Sequence, residues 1–417
     1  MKMRKFYIFF ASILLPLALL GQNKLYTIII KGGHVIDPKN NINSVMDIAI
    51  ADGKIARIAV RIDPSQADQV VNASGMYVTP GLIDLHGHVF AGTQPNQMYS
   101  NGFNSIMPDG FYQRMGVTTV VDAGGSGWRD FPIFKKNIID NSQTRVLCFL
   151  NIVGNGMRGG AVEQNVDDMD PAKAAETALA NKEFIVGIKV AHFTSPSFIN
   201  VDRGVEAGKM ANIPVMVDFG GTKPRLSIRD LFMVHLRPGD IFTHTFGELL
   251  DTKEAIVDTA TQKLKPFVLE AQKRGIIFDV GYGGSSFTYS QAIPAAKAGF
   301  HPNTISTDLH ISSMKGSMKD MLSVMSKFLK LDMDLPAVIK ASTWSAAQAI
   351  KRPELGNLSV GAIADVAVLS MRKGNFGFYD LAGYKMQSNE KLECEMTLIG
   401  GKIVYDLNGI ATPLIKR

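Results

Sequence analysis

The stretch richest in chemistry is Asp84-Leu85-His86-Gly87-His88. It closes an apolar run, 81–88, that reads as a strand. Alternate strand residues share a side, so His86 and His88 can offer two imidazoles to one transition-metal ion. A pair of hydrogen-bonded core histidines is the plainer alternative. Lys189 sits inside Val186-Gly187-Ile188-Lys189-Val190, where a charged amine is costly to bury. Burial favours the neutral amine, which can add carbon dioxide. The resulting carbamate is a two-oxygen anion able to bridge two metal ions; a strand-edge lysine reaching solvent is the other reading. His244 lies between Thr243 and Thr245, Asp218 follows Val217, and Asp308 sits in Ser306-Thr307-Asp308-Leu309-His310. A carboxylate at Asp308 can bind metal and move a proton, or simply cap a helix. His192 and His310 border the same runs and are candidate substrate contacts.

Eight apolar runs carry these residues: 81–88, 116–124, 145–153, 185–191, 213–220, 240–246, 276–283 and 304–310. They are apolar nearly throughout, as strands covered on both faces are. Helix-like stretches at 170–184, 202–212, 253–274 and 287–299 lie between them. This alternation predicts an α/β fold, a (β/α)8 TIM barrel, over an open doubly wound sheet. In such barrels chemistry gathers at the C-terminal strand ends, where the polar residues above fall. The flanks read as strands at 26–60, 70–78, 364–369, 395–399 and 402–405, with turns at Gly32-Gly33, Asp52-Gly53 and Gly400-Gly401. The expected organisation is a barrel over 80–355 and a small β-sandwich built from both chain ends, 22–79 and 356–417.

The chain has 417 residues, 46% apolar and 20% charged, which excludes a disordered, collagen-like or coiled-coil protein. Lys2, Arg4 and Lys5 precede an apolar run, 6–20, interrupted by Pro16. That pattern predicts a signal peptide over 1–21 and a secreted or periplasmic protein. The run is too short for a stable membrane anchor. Losing those three cations takes the net charge from +6 to +3, too mild to indicate nucleic acid. The two cysteines, Cys148 and Cys394, make no disulfide scaffold, and Cys148 reads as a buried free thiol.

These residues resemble the amidohydrolase superfamily, close to its amidohydrolase/deacetylase branch, which is related to dihydroorotases. The motifs are Pro80-Gly81-Leu82-Ile83-Asp84-Leu85-His86-Gly87-His88, Val186-Gly187-Ile188-Lys189, Pro238-Gly239-Asp240 leading to Thr243-His244, Phe278-Asp279-Val280-Gly281, Asp308-Leu309-His310 and Gly361-Ala362-Ile363-Ala364-Asp365-Val366-Ala367. The resemblance implies one or two divalent ions, usually zinc. His86, His88 and Asp308 would bind one ion; a carbamate on Lys189 would bridge to a second, also held by His244. Two positions depart from the pattern. Asp218 stands where the family places a histidine after strand five, and Tyr282 where the branch has one after strand seven. Asp218 can ligate zinc itself or leave the second position weak; Tyr282 becomes a candidate substrate contact.

The resemblance thus implies an exported hydrolase of an amide or ester bond in a small-molecule substrate. The branch points to deacylation of an N-acyl amino acid or acylated hydroxy acid, with Asp308 as general base and then acid. Arg129, Lys223 or Arg225 could receive a substrate carboxylate, although solvated surface cations are the simpler reading. The alternatives are a dihydroorotase-like cyclic amidase and a secreted binding protein with a decayed metal site. A homo-oligomer is compatible with all three.

Overall fold

A computed structural model describes residues 24–94, 97–249 and 251–413; the expected signal peptide lies outside them. Seven parallel strands follow one another in chain order across one sheet: Leu82–Gly87, Val117–Gly127, Arg145–Asn151, Ile185–Val190, Val215–Val217, Ile241–Phe242 and Ile277–Phe278. Each falls on one of the expected apolar runs.

The eighth run departs from expectation. It forms no ladder but makes one parallel bridge to each edge, Asp279 with Thr304 and Gly87 with Leu309. The Val280, Gly283 and His88 N–H groups donate to the Thr304, Thr307 and Leu309 carbonyls at 3.1, 2.8 and 3.0 Å, and buried carboxylates add further bonds. Thr304 Oγ1 and Ser306 Oγ donate to Asp279 at 2.6 and 2.7 Å, and the Thr307 N–H donates to Asp84 at 3.0 Å. Asp308 has a left-handed φ of 52°, which a regular strand cannot contain. The sheet therefore curls until its edges meet across residues 304–310, a TIM-barrel-like α/β architecture.

Helices cover the outside. Val201 and Val205 of Ile199–Ala211 share a core with Ile188, Val190 and Val215. Val268 and Ala271 of Pro266–Arg274 pack with Phe242 and Phe278 in the same core. Pro171–Ala180 starts where Asp170 accepts from the Ala172 and Lys173 N–H groups and Pro171 occupies the first turn. The helix expected over 253–274 is shorter. It begins at Pro266, which suits only a first turn, and the residues before it form the hairpin Val257–Asp258 with Lys263–Leu264.

Both chain ends join in one connected eight-stranded sheet. Its order is Lys402–Asp406, Lys385–Ile399, Val366–Tyr379, Tyr77–Pro80, Tyr26–Asp37, Ile42–Ala51 and Lys54–Ala59, with Ala67–Asn72 also on Tyr26–Asp37. Asp52-Gly53 and Gly400-Gly401 are tight hairpin turns with φ of 50° and 72°, and 55° and 76°. Gly32-Gly33 is a register shift inside a continuous strand, not a turn. The Val366–Tyr379/Lys385–Ile399 hairpin is much longer than its sequence suggests. It reaches the barrel, where the Tyr289 N–H donates to Asp380 at 2.8 Å.

Candidate metal centre

The first strand ends on His86 and His88, both buried. The register of its ladder shifts between Asp84 and Gly87, so the two histidines do not simply continue the preceding alternation. Their ring centroids lie 5.6 Å apart, and His88 stacks on buried Tyr99 at 3.9 Å. Asp308 Oδ1 lies 3.0 Å from His88 Nε2 and 3.5 Å from His86 Nε2. Lys189 is fully buried, its Nζ 3.2 Å from His86 Nε2. Asp218 Oδ2 lies 3.3 Å from His244 Nε2 and 3.6 Å from His192 Nε2. Six strand-end residues thus converge: His86, His88, Lys189, Asp218, His244 and Asp308.

Second partners fix the tautomers. The Thr243 hydroxyl donates to Asp279 at 2.8 Å, so its oxygen accepts from His86 Nδ1–H at 2.9 Å. The Gly281 carbonyl can only accept, so His244 Nδ1 is also the protonated nitrogen, at 2.5 Å. Both rings therefore turn Nε2 inward. Burial, reinforced by Lys189, holds His86 well below the usual histidine pKa; burial also lowers His88. The Nε2 nitrogens of His86 and His244 face the carboxylate oxygens of Asp308 and Asp218 across gaps that a cation could bridge. Donor atoms of His86, His244 and Asp308 all fall within 4.8 Å of one another. The donor set of imidazole nitrogens and carboxylate oxygens fits zinc or a related divalent ion.

Burial alone would raise Asp308, but His86 and the His88 hydrogen bond outweigh it and keep the carboxylate ionised. Asp218 is likewise held low, against burial, by His244 and His192. Burial lowers the Lys189 pKa despite Asp218 and Asp308 nearby, which favours the amine that carbamate formation needs. Gly124 makes room for it: with φ of 88°, a Cβ there would stand 2.5 Å from Lys189 Cγ. Gly283 plays the same part for Asp308, whose Oδ2 would lie 2.4 Å from an added Cβ.

The substrate-contact candidates diverge. His192 reaches the cluster through Asp218 and is anchored from behind by Glu163 at 2.8 Å. Burial opposes its charge, but Glu163 and Asp218 hold its pKa above the usual value. His310 caps a short helix through Ser313 and packs edge-on to His88 at 6.0 Å; burial pushes it down to about 4. Tyr282 is engaged elsewhere: it stacks on Phe287, and its hydroxyl meets Lys327 at 2.6 Å. Arg129 pairs with Asp168 and stacks on Trp128. The sequence reading missed Tyr99, Glu163 and Lys253; Lys253 is buried and donates to the His244 carbonyl at 2.8 Å. None belongs to a motif. Lys253 showed only as a cation in a supposed helix.

No protein-family model matches the chain. Its sequence is 31% identical over 374 residues to a protein named deacetylase from Brucella anthropi, covering 87% of this chain and 88% of the relative. Two solved structures share the fold along nearly their full length. An adenine deaminase aligns with TM-score 0.81 and 27% identity, covering 91% of this chain and 100% of its own. A dihydroorotase aligns with TM-score 0.77 and 28% identity, covering 91% and 99%. With the converging donors, these likenesses define a metal-dependent hydrolase acting on C–N bonds. The chain belongs to the amidohydrolase superfamily, in its amidohydrolase/deacetylase branch related to dihydroorotases. The alternative of a binding protein with a decayed site gives way to this assignment.

Proposed function

We propose that the protein is an exported deacylase on a (β/α)8 barrel, removing a small acyl group from an N-acyl amino acid or an acylated hydroxy acid. The observation that carries this reading is the meeting of His86, His88 and His244 with ionised Asp308 and Asp218 around a buried amine. His86, His88 and Asp308 would hold one divalent ion, with His244, Asp218 and a carbamate on Lys189 holding a second. When bound, such an ion polarises a carbonyl and lowers the pKa of water from about 15.7 towards about 7. Asp308 stands ready to take a proton from the attacking water and deliver it to the leaving amine or alcohol. His88, packed between Tyr99 and His310, keeps that carboxylate oriented. His192, partly exposed at the rim and backed by Glu163, is placed to meet a substrate carboxylate.

The deacetylase name of the Brucella anthropi relative supports removal of an acyl group. A panel of acyl-amino acids and acyl esters, offered to zinc-reconstituted protein, tests the reading. Turnover of at least one acyl substrate but not of dihydroorotate is expected. Turnover of dihydroorotate alone would favour the cyclic amidase, which the dihydroorotase-like fold also supports. Export is tested by the N-terminus of the secreted chain, expected just after residue 21.

A further inference from the structure

We propose that the cavity between the helix Met321–Lys330 and the hairpin Val366–Tyr379/Lys385–Ile399 binds a small phosphate-class oxyanion. The cavity is about 240 Å³, room for a phosphate group with a short substituent. Three lysines line it, Lys319, Lys327 and Lys391, and among the described residues no carboxylate does. None of the six converging donors lines it either, so this site stands apart from the metal centre and does not depend on the deacylase reading.

Each ammonium lies over an aromatic ring: Lys327 over Tyr282 at 4.1 Å, Lys319 over Tyr379 at 5.2 Å and Lys391 over Phe376 at 5.7 Å. Such faces tolerate a cation but do not neutralise it. The acid beside Lys391, Glu393 at 3.8 Å, is shared with Arg372 at 3.2 Å. Lys327 is the decisive group. It is 1% exposed, and its amine donates to the uncharged Tyr282 hydroxyl and Ser317 carbonyl, leaving a third donor to spare. Burial, and then repulsion from Lys319, push its pKa down to about 7, against the pull of Asp380 and Asp320, neither of which lines the cavity. A buried ammonium needs a counter-charge, and an entering dianion would provide one. Three separate point charges suit a tetrahedral phosphate; no arginine fork lines the cavity to favour a planar carboxylate.

Calorimetric titration of the metal-loaded full chain with inorganic phosphate, pyrophosphate and acetate tests this site. Expected is one pyrophosphate per chain with Kd below about 1 mM, and acetate far weaker. Lys319→Glu and Lys391→Glu, which change exposed or half-exposed side chains, should each weaken binding at least about tenfold. Lys327→Met should do the same if it folds. Absence of saturable binding overturns the proposal. So does binding that survives both charge reversals undiminished, which would put the anion on the metal centre, and so does acetate binding as tightly as pyrophosphate.

Discussion

Asp84 Oδ1 accepts the Thr307 backbone N–H at 3.0 Å, tying the start of the curled sheet to its closing segment one residue before Asp308. The same oxygen also takes the His86 N–H at 3.2 Å. A residue of the opening motif thus bonds the backbone at His86 and beside Asp308.

Asp84→Ala should therefore loosen two ligands together. Stranding the Thr307 N–H and hydroxyl in the interior should cost about 3 kcal/mol, read as a lower urea midpoint. Metal affinity should fall about 10- to 100-fold. Normal metal affinity in a destabilised variant would confine Asp84 to a structural role.

Asp84 also predicts a pH dependence with a definite sign. Burial raises its pKa from 3.8 to about 7. Between those values the folded chain holds a proton that the unfolded chain has released, so this group's contribution to stability declines as pH rises through the window. The stability of the wild type relative to Asp84→Asn should fall towards neutrality and level off above it, as pH-resolved denaturation curves will show. A rising difference would mean the carboxylate is ionised in the native state.

Lys189→Ala should lower kcat/KM about 10³-fold or more, roughly 4 kcal/mol of transition-state stabilisation. Metal content should drop with it. Reconstituting the wild type in buffer stripped of carbon dioxide should likewise yield less bound metal than with bicarbonate added. Equal loading under both conditions would leave Lys189 an unmodified amine.

Asp308→Asn keeps the shape of the side chain but removes its proton acceptor. A fall in kcat of about 10²–10⁴, with most metal retained, is expected from paired kinetics and elemental analysis. Unchanged kcat would move proton transfer to another group.

Gly124→Ala forces a methyl against the Lys189 stem at a left-handed backbone position. A loss of about 3 kcal/mol in stability is expected, with Lys189 displaced from His86. A variant that folds with full stability and activity would show that the stem has slack.

Much of this was legible from types and spacing. Seven of the eight apolar runs hold a strand of the curled sheet, because strands covered on both faces keep no polar alternation to confuse them. The converging donors were legible because each lay within or at the end of such a run. What stayed hidden depends on partners distant in sequence. Asp279 looks like any strand-end acid, yet it accepts from the Thr304 and Ser306 hydroxyls of the closing segment. Glu163 lies on a short 3-10 helix, Gly160–Gln164, with no periodic signature, and only the fold brings it behind His192. The long hairpin escaped because its strands carry polar and apolar residues on faces set by the barrel they lean on. Asp218 in place of a histidine was visible, but not that His192 would stand 3.6 Å from it.

His192, His244 and Asp308 share a feature no motif reveals: each is a non-glycine residue at a left-handed φ, 55°, 55° and 52°. Backbone of that kind runs uphill for side chains with a Cβ. The rim of the curled sheet is thus wound like a spring. Glycine at position 244 should relax the empty protein even as it cripples the loaded one. Resistance to heat and capacity for chemistry would then move in opposite directions at one residue.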